Sequence, residues 1–422
     1  MGSLSHFPLP IPEEYQGELE YIEPIDTRSD EEILTSLTQH TPVTSEKNVW
    51  AFWDKGVAAM PGWCKRNVTN WVRLLGPSWT IRVLDVVPGS PNHTLRYLPT
   101  DSLPKTFVDG TMDGPYVGPH SADFIRGAAL YVHGGVFMDV GIILIRHLDR
   151  ICWDALVDES SPFQVCIPLM YGQVTANHFV ASRKGDPFIK RWHDMFMHIW
   201  QGRTNHSGLI QHPLLRFIID SASFDESREA AFTWNFKVDA ATVFEYIAQV
   251  VCWRRLTHLD NAGDGFSCAD YWENNVLLTN VLEESWAAES LVGFDGQSLF
   301  DLLRLPFPSA SEPNIDPGPP SSSLSSEQSQ PKRDEKEAAR LLWRLLARSS
   351  MQKVTHGKAL TDDVMLGTLW DRPENEDADC RPGTFAWLLR RGPLCLRQTR
   401  KSIQTVPAPP VKDRWRKGVL EP

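Results

Sequence analysis

The apolar positions change period several times along the chain, and each change predicts an element. Residues 48–54 (Asn-Val-Trp-Ala-Phe-Trp-Asp) are β-branched and aromatic, which predicts a buried strand with a turn at Trp53-Asp54-Lys55-Gly56. Cys64, Val68, Trp71, Val72 and Leu75 then recur at helical spacing, and Gly76-Pro77 stops that helix. Trp79 to Val86 alternates as a second strand, ending near Asp85. Strand, helix, strand predicts an α/β layer on a parallel sheet.

The segment from Pro119 to Asp149 is the most informative. Ser121 reads as an N-cap, Ile125, Ala128, Ala129 and Val132 form an apolar helix face, and Gly134-Gly135 ends the helix. Val136 to Asp139 follows as a short strand with an acidic end, and Ile142 to Ile145 as another strand. Strand carboxyl ends line the ligand crevice of an α/β sheet, which places Asp139 where chemistry occurs. Further on, Asp186 caps a helix that opens with Pro187 and buries Phe188, Trp192, Met195, Phe196 and Ile199. Residues 268–285 read as one helix, and Asp334 to Arg348 as an amphipathic one carrying Ala338, Leu341, Leu342, Leu345 and Leu346.

These patterns divide the chain. Residues 1–45 read as an N-terminal arm, 46–305 as the catalytic domain, and 306–332 as a disordered Pro/Ser-rich insertion. Residues 333–405 read as a helical C-terminal part that completes the active site, and 406–422 as a loose tail. A net charge of −11 argues against nonspecific nucleic-acid binding. No run approaches the length of a membrane span, and Met1 to Pro12 has no signal-peptide pattern. The seven cysteines are dispersed and form no C-x-x-C pair, which disfavours a zinc ribbon or a disulfide framework and fits the reducing cytoplasm. No G-x-G-x-x-G follows the Trp50 strand, so a dinucleotide-dependent oxidoreductase is a weak reading. The 16 tryptophans hint at stacking on sugars or bases, although most such residues serve the core.

Asp123 and Arg126 share one helix face, where an ion pair alone would also explain them. Together with Asp139 they carry a resemblance. The pattern Ser121-Ala-Asp123-x-x-Arg126, seven residues, then Gly134-Gly135-Val-Phe-Met-Asp139 closely resembles nucleotide-sugar glycosyltransferases of the GT-A fold. More narrowly, it resembles the capsular polysaccharide synthesis protein family, related to the DXD-containing transferases of glycosyltransferase family 32. Trp50-Ala-Phe-Trp53-Asp54-Lys55-Gly56 matches that family's opening strand, and Gly383-Thr384-Phe385-Ala386-x-Leu388-Leu389 resembles the C-terminal end of fungal-looking members.

The resemblance implies a GT-A-like single Rossmann-type sheet with flanking helices and a helical C-terminal portion. It implies a UDP- or GDP-sugar donor, a hydroxyl acceptor that is a small molecule or glycan, retention of anomeric configuration, and a divalent metal, Mn²⁺ or Mg²⁺. Such an ion neutralises the diphosphate as the anomeric C–O bond breaks, and it prefers carboxylate oxygen. Asp139 would be the first DXD position, near metal and donor. Asp123 would bond donor sugar or ribose hydroxyls, and Arg126 would orient Asp123 or approach the diphosphate. Trp53 and Asp54 would lie by the nucleobase and ribose. From their place before the Asp123 helix, His120 and Ser121 read as sitting at a phosphate-favouring helix N-terminus, with a structural cap as the alternative for His120. His356 would supply a C-terminal metal ligand; a surface loop is its alternative. The second DXD position holds Gly141, which leaves metal coordination open and keeps a non-catalytic nucleotide-sugar or glycan binder as the alternative function.

Overall fold

In the computed structural model, residues 7–217, 234–261, 263–308, 330–358 and 360–422 are described. Eleven strands appear among them: β1 (Leu19–Tyr21), β2 (Asn48–Phe52), β3 (Thr80–Leu84), β4 (Gly135–Met138), β5 (Ile142–Leu144), β6 (Val165–Met170), β7 (Val174–Thr175), β8 (Phe179–Ser182), β9 (Val276–Asn280), β10 (Met351–Lys353) and β11 (Leu396–Gln398). The helices that matter for the site and its support are α1 (Asp30–Leu37), α2 (Gly62–Leu75), α3 (Val117–His133), α4 (Pro187–Ile199), α5 (Ala248–Thr257), α6 (Cys268–Asn275), α7 (Gln330–Arg348) and α8 (Phe385–Cys395).

The central seven-stranded sheet is mixed. β2 lies between β3 and β4, parallel to both. β8 then runs antiparallel to β4 and to β6. β7 joins the same edge of β6, and β9 pairs parallel along the other. Helices cover both faces, so the expected α/β class holds. One face packs on α2, α7 and α8 around Trp71, Phe179 and Leu342. The other packs on α3, α4 and α5 around Trp50, Phe124, Trp192 and Trp253. Six tryptophans, Trp50 and Trp192 among them, are fully buried, which accounts for much of the tryptophan excess by packing.

The β2–α2–β3 unit forms as its pattern predicts. Asp186 caps α4 by accepting from the Phe188 and Ile189 amides. At the end of α3 the backbone reverses at Gly134 and Gly135, with φ of +71° and +107°. A side chain at Gly134 would also press on the Lys184 amide, so two glycines serve both conformation and close packing.

Several expectations change. Residues 268–285 are not one helix. After α6 the run Val276–Asn280 enters the sheet beside β6, because a short fully buried strand and a helix segment share the same apolar run. The N-terminal stretch is more than an arm: β1 pairs with β11, and α1 starts with a Ser29–Glu32 capping box. The tail is not loose. Val406 N–H donates to the Leu278 carbonyl, Trp415 N–H to that of His258, and Arg414 pairs with Asp270 and Glu273. The insertion read over 306–332 falls mostly outside the described residues; its last three positions already belong to α7. The buried leucine stripe of α7 is the expected one.

Candidate active site

Because β2 and β4 are parallel, their carboxyl ends open on the same side of the sheet. Trp53 and Asp54 follow β2, and Asp139 follows β4. A cavity of about 420 Å³ lies there, lined by Trp53, Asp54, Asp123, Arg126, Asp139 and Lys353 among others. The sheet and the helix before β4 thus bring Trp53, Asp54, Asp123, Arg126 and Asp139 to one cavity.

Asp139 is the centre of the charge arrangement. Its Oδ1 accepts from Arg126 Nη2 at 3.3 Å and its Oδ2 from Lys353 Nζ at 2.6 Å. Its backbone N–H donates to the His178 carbonyl. Burial alone would raise the Asp139 carboxyl, but the Lys353 and Arg126 charges overcome it and hold it below the usual carboxylate range. His178 beside it is pushed well below the usual imidazole range, first by burial and then by Lys353, and stays neutral.

Arg126 also clamps Asp123 through Nη1, and the same nitrogen donates to Gln249 Oε1. Asn177 Nδ2 donates to Asp123 Oδ1 at 3.2 Å and to Gln249 Oε1 at 3.0 Å. The ion pair on that helix face is therefore part of a wider arrangement: Arg126 links both carboxylates, and amides from α5 and the β7–β8 turn fix it. At the mouth, Trp63 Nε1 and Lys358 Nζ both donate to Asp371.

His120 and Ser121 do not join this cavity. α3 begins at Val117, so Ser121 is not its N-cap and His120 does not precede it. On the helix, Pro119, Ala122, Asp123 and Arg126 share the cavity face, and His120 and Ser121 are turned away from it. His120 packs between Trp200 and His206, its Nδ1 3.5 Å from Asp123 Oδ2, and the Ser121 hydroxyl meets Met112 Sδ.

His356 is also placed elsewhere. Its ring packs on Trp286, and its Nε2 lies 2.9 Å from Glu289 Oε1, so its lone pair or proton is committed away from Asp139. Among the described residues no group of three or more His, Cys, Asp or Glu side chains could hold a metal ion. Both Asp139 oxygens already face cations, and Gly141 offers no carboxylate. A hard divalent ion can take one or two carboxylates and draw its other oxygens from phosphate and water, but the motif's one carboxylate is already held between two cations, so this donor set does not fit one.

Sequence patterns missed Lys353, Gln249 and Asn177. Gln249 carried a weak signal, as a lone polar residue opening the apolar run Val250 to Trp253. Lys353 is delivered by pairing: β10 lies antiparallel to β5 with Lys353 opposite Ile142, beside the Asp139–Gly141 turn.

Comparison with known proteins finds glycosyltransferases. Residues 97–159 match the family model described as glycosyltransferase sugar-binding region containing DXD motif. The chain is 48% identical to a probable glycosyltransferase, FCK3, of Fusarium pseudograminearum, over 99% of this chain and all of that one. It is 38% identical to glycosyltransferase afumC of Aspergillus fumigatus, over 89% of this chain and 92% of that one. It is 35% identical to O-glycosyltransferase braB of Annulohypoxylon truncatum, over 94% and 91%.

Proposed function

We propose that this chain, which belongs to the glycosyltransferase family whose sugar-binding region contains a DXD motif, moves a sugar from a UDP- or GDP-sugar to an acceptor hydroxyl. The observation that carries the reading is the convergence of Asp123, Arg126 and Asp139 on one cavity at the carboxyl ends of parallel strands. The printed name of one relative, O-glycosyltransferase, supports oxygen as the acceptor atom. The Ser121 to Asp139 spacing supports the capsular-polysaccharide-type branch and a GT-A-like sheet as the finer assignment.

In this reading Trp53 packs against the nucleobase and Asp54 lies by the ribose. Asp123, with Oδ1 held by Arg126 and Asn177, accepts from a donor-sugar hydroxyl. Arg126 keeps both carboxylates at fixed spacing, so little reorganisation is needed when the sugar binds. Transfer breaks the anomeric C–O bond to the diphosphate and forms one to the acceptor oxygen. The acceptor proton passes to the leaving phosphate, and the configuration is retained. Family analogy supplies that route. The enzyme works in a reducing compartment, in keeping with seven free cysteines. No helix among the described residues is long and apolar enough to cross a membrane.

Purified protein with a panel of UDP- and GDP-sugars tests the reading by release of nucleoside diphosphate. Release with at least one donor is expected, abolished in Asp123→Asn and Asp139→Asn proteins that keep their circular dichroism. No release with any donor, or unchanged rates in both variants, overturns it.

A further inference from the structure

The motif position that should hold a second carboxylate is glycine, and the space beside it is filled. Gly141 has no left-handed φ, so its backbone does not call for glycine. A Cβ placed there would lie 3.1 Å from Thr355 Oγ1, 3.5 Å from Lys353 Nζ and 3.7 Å from Trp63 Cη2. A carboxylate at 141 would have to displace the ammonium group. That ammonium is no surface charge: the Lys353 side chain is 9% exposed, yet it lines the cavity.

Its position is also over-determined. The β5–β10 register sets Lys353 opposite Ile142, and the Val354 N–H donates to the Gly141 carbonyl at 3.1 Å. The lysine is therefore fixed against the same turn that carries Asp139. An ammonium has three N–H bonds. Asp139 takes one, at 2.6 Å, which leaves two for a ligand in the cavity.

We infer that Lys353, with Arg126, takes the place of a divalent cation in this enzyme, and that it binds and releases the nucleoside diphosphate without metal. The inference rests on the donor reading above. Charge arithmetic favours it. Losing one carboxylate at 141 and gaining one ammonium beside it changes the local charge by two units, as a divalent ion would. Asp139 then acts as the anchor that keeps the Lys353 ammonium aimed into the cavity, a role a carboxylate between two cations fits better than ligation of a third. When the C–O bond to the diphosphate breaks, the electron pair stays on the phosphate oxygen, and Lys353 N–H bonds meet the charge that develops. A lysine is a compact charge suited to phosphate oxygen.

The test is calorimetric binding of UDP and GDP to the full-length chain, in EDTA and in Mn²⁺ or Mg²⁺, with donor turnover measured in the same buffers. The expected result is affinity and turnover that agree within about threefold across these buffers. Lys353→Met should weaken diphosphate binding about tenfold or more in EDTA, while uridine or guanosine binds as in wild type. A merely structural lysine would not separate nucleoside from diphosphate in this way. Gly141→Asp keeps the lysine but places a carboxylate against it, and should weaken diphosphate binding in the same direction; thermal melting checks that both variants fold. Binding or turnover that collapses in EDTA and returns with metal overturns the inference and leaves the transferase reading standing. So does unchanged diphosphate binding in both variants. Failure of wild type to bind either nucleotide in any buffer overturns both readings.

Discussion

Asp379 and Asp139 are each bracketed by two basic side chains, and the difference between them lies in what else they face. Asp379 is fully buried, with Arg66 and Arg390 on its two oxygens. Asp139 has Arg126 and Lys353 on its oxygens, but its side chain remains 30% exposed at the cavity. Both carboxyls are lowered against the push of burial, Asp379 by Arg390 and Arg66, Asp139 by Lys353 and Arg126. The same electrostatic arrangement thus serves two ends. Closed off, it fastens α8 to α2. Opened to a cleft, it leaves two cations lining a cavity. The two are also joined: Arg390 Nη1 donates to Asn67 Oδ1, and Asn67 Nδ2 donates to the Val140 carbonyl at 2.7 Å. The closed cluster holds up the turn of the open one.

Exchanging the two carboxylates for amides should separate their roles most strongly. Asp139→Asn should lower turnover about 10³-fold, roughly 4 kcal/mol in transition-state terms, because the carboxylate that aims Lys353 and Arg126 at the reacting diphosphate is lost. Its melting temperature should move little, since a partly exposed site can rehydrate. Asp379→Asn should do the reverse. It leaves Arg390 buried without a counter-charge and Arg66 with only the exposed Asp377, at a cost of about 3 kcal/mol or more in urea unfolding. Its specific activity should follow the folded fraction. If Asp379→Asn impaired turnover and spared stability, the comparison would break.

A smaller effect should come from the link. Asn67→Ala orphans the buried Val140 carbonyl and one Arg390 N–H bond, costing about 1–3 kcal/mol. Because Val140 adjoins Asp139, kcat should fall severalfold with a smaller change in KM. Stability loss alone would make Asn67 part of the closed cluster only.

The subtlest test is pH. A carboxyl whose folded value is depressed contributes stability that is complete above its unfolded value, near ~3.9, and is lost as pH falls through the folded one. The gap in urea midpoint between wild type and Asp379→Asn should therefore be constant from about pH 7 to 5 and narrow below about pH 4. A gap that widens on acidification would mean the carboxyl is raised, not lowered.

How far the sequence reached follows from the range of each interaction. The β2–α2–β3 unit, the α3–β4 unit and the Asp186 cap are set by neighbours within about twenty residues, so their patterns are readable. Asp123, Arg126 and Asp139 belong to that local class, and they do meet. Lys353 reaches Asp139 from 214 residues away, and Gln249 reaches Arg126 from 123, through pairings no periodicity encodes. The resemblance implies His356 at the same place, but Glu289 and Trp286 hold it. Val276–Asn280 differs from the helix its pattern predicts for another reason: a short, mostly buried run has no polar face to mark its period.

The pairing of β1 with β11 has a consequence for biosynthesis. Glu20 and Arg397, partners in that two-stranded sheet, are separated by 377 residues. At ~5–20 residues per second, a ribosome needs roughly 20–75 s to make the second strand after the first. Through that interval the nascent chain carries an unmatched edge, and every truncated product that stops before β10 lacks Lys353 as well. A nascent chain that has made β1 but not yet β10 therefore lacks both the strand that matches its edge and the lysine that faces Asp139.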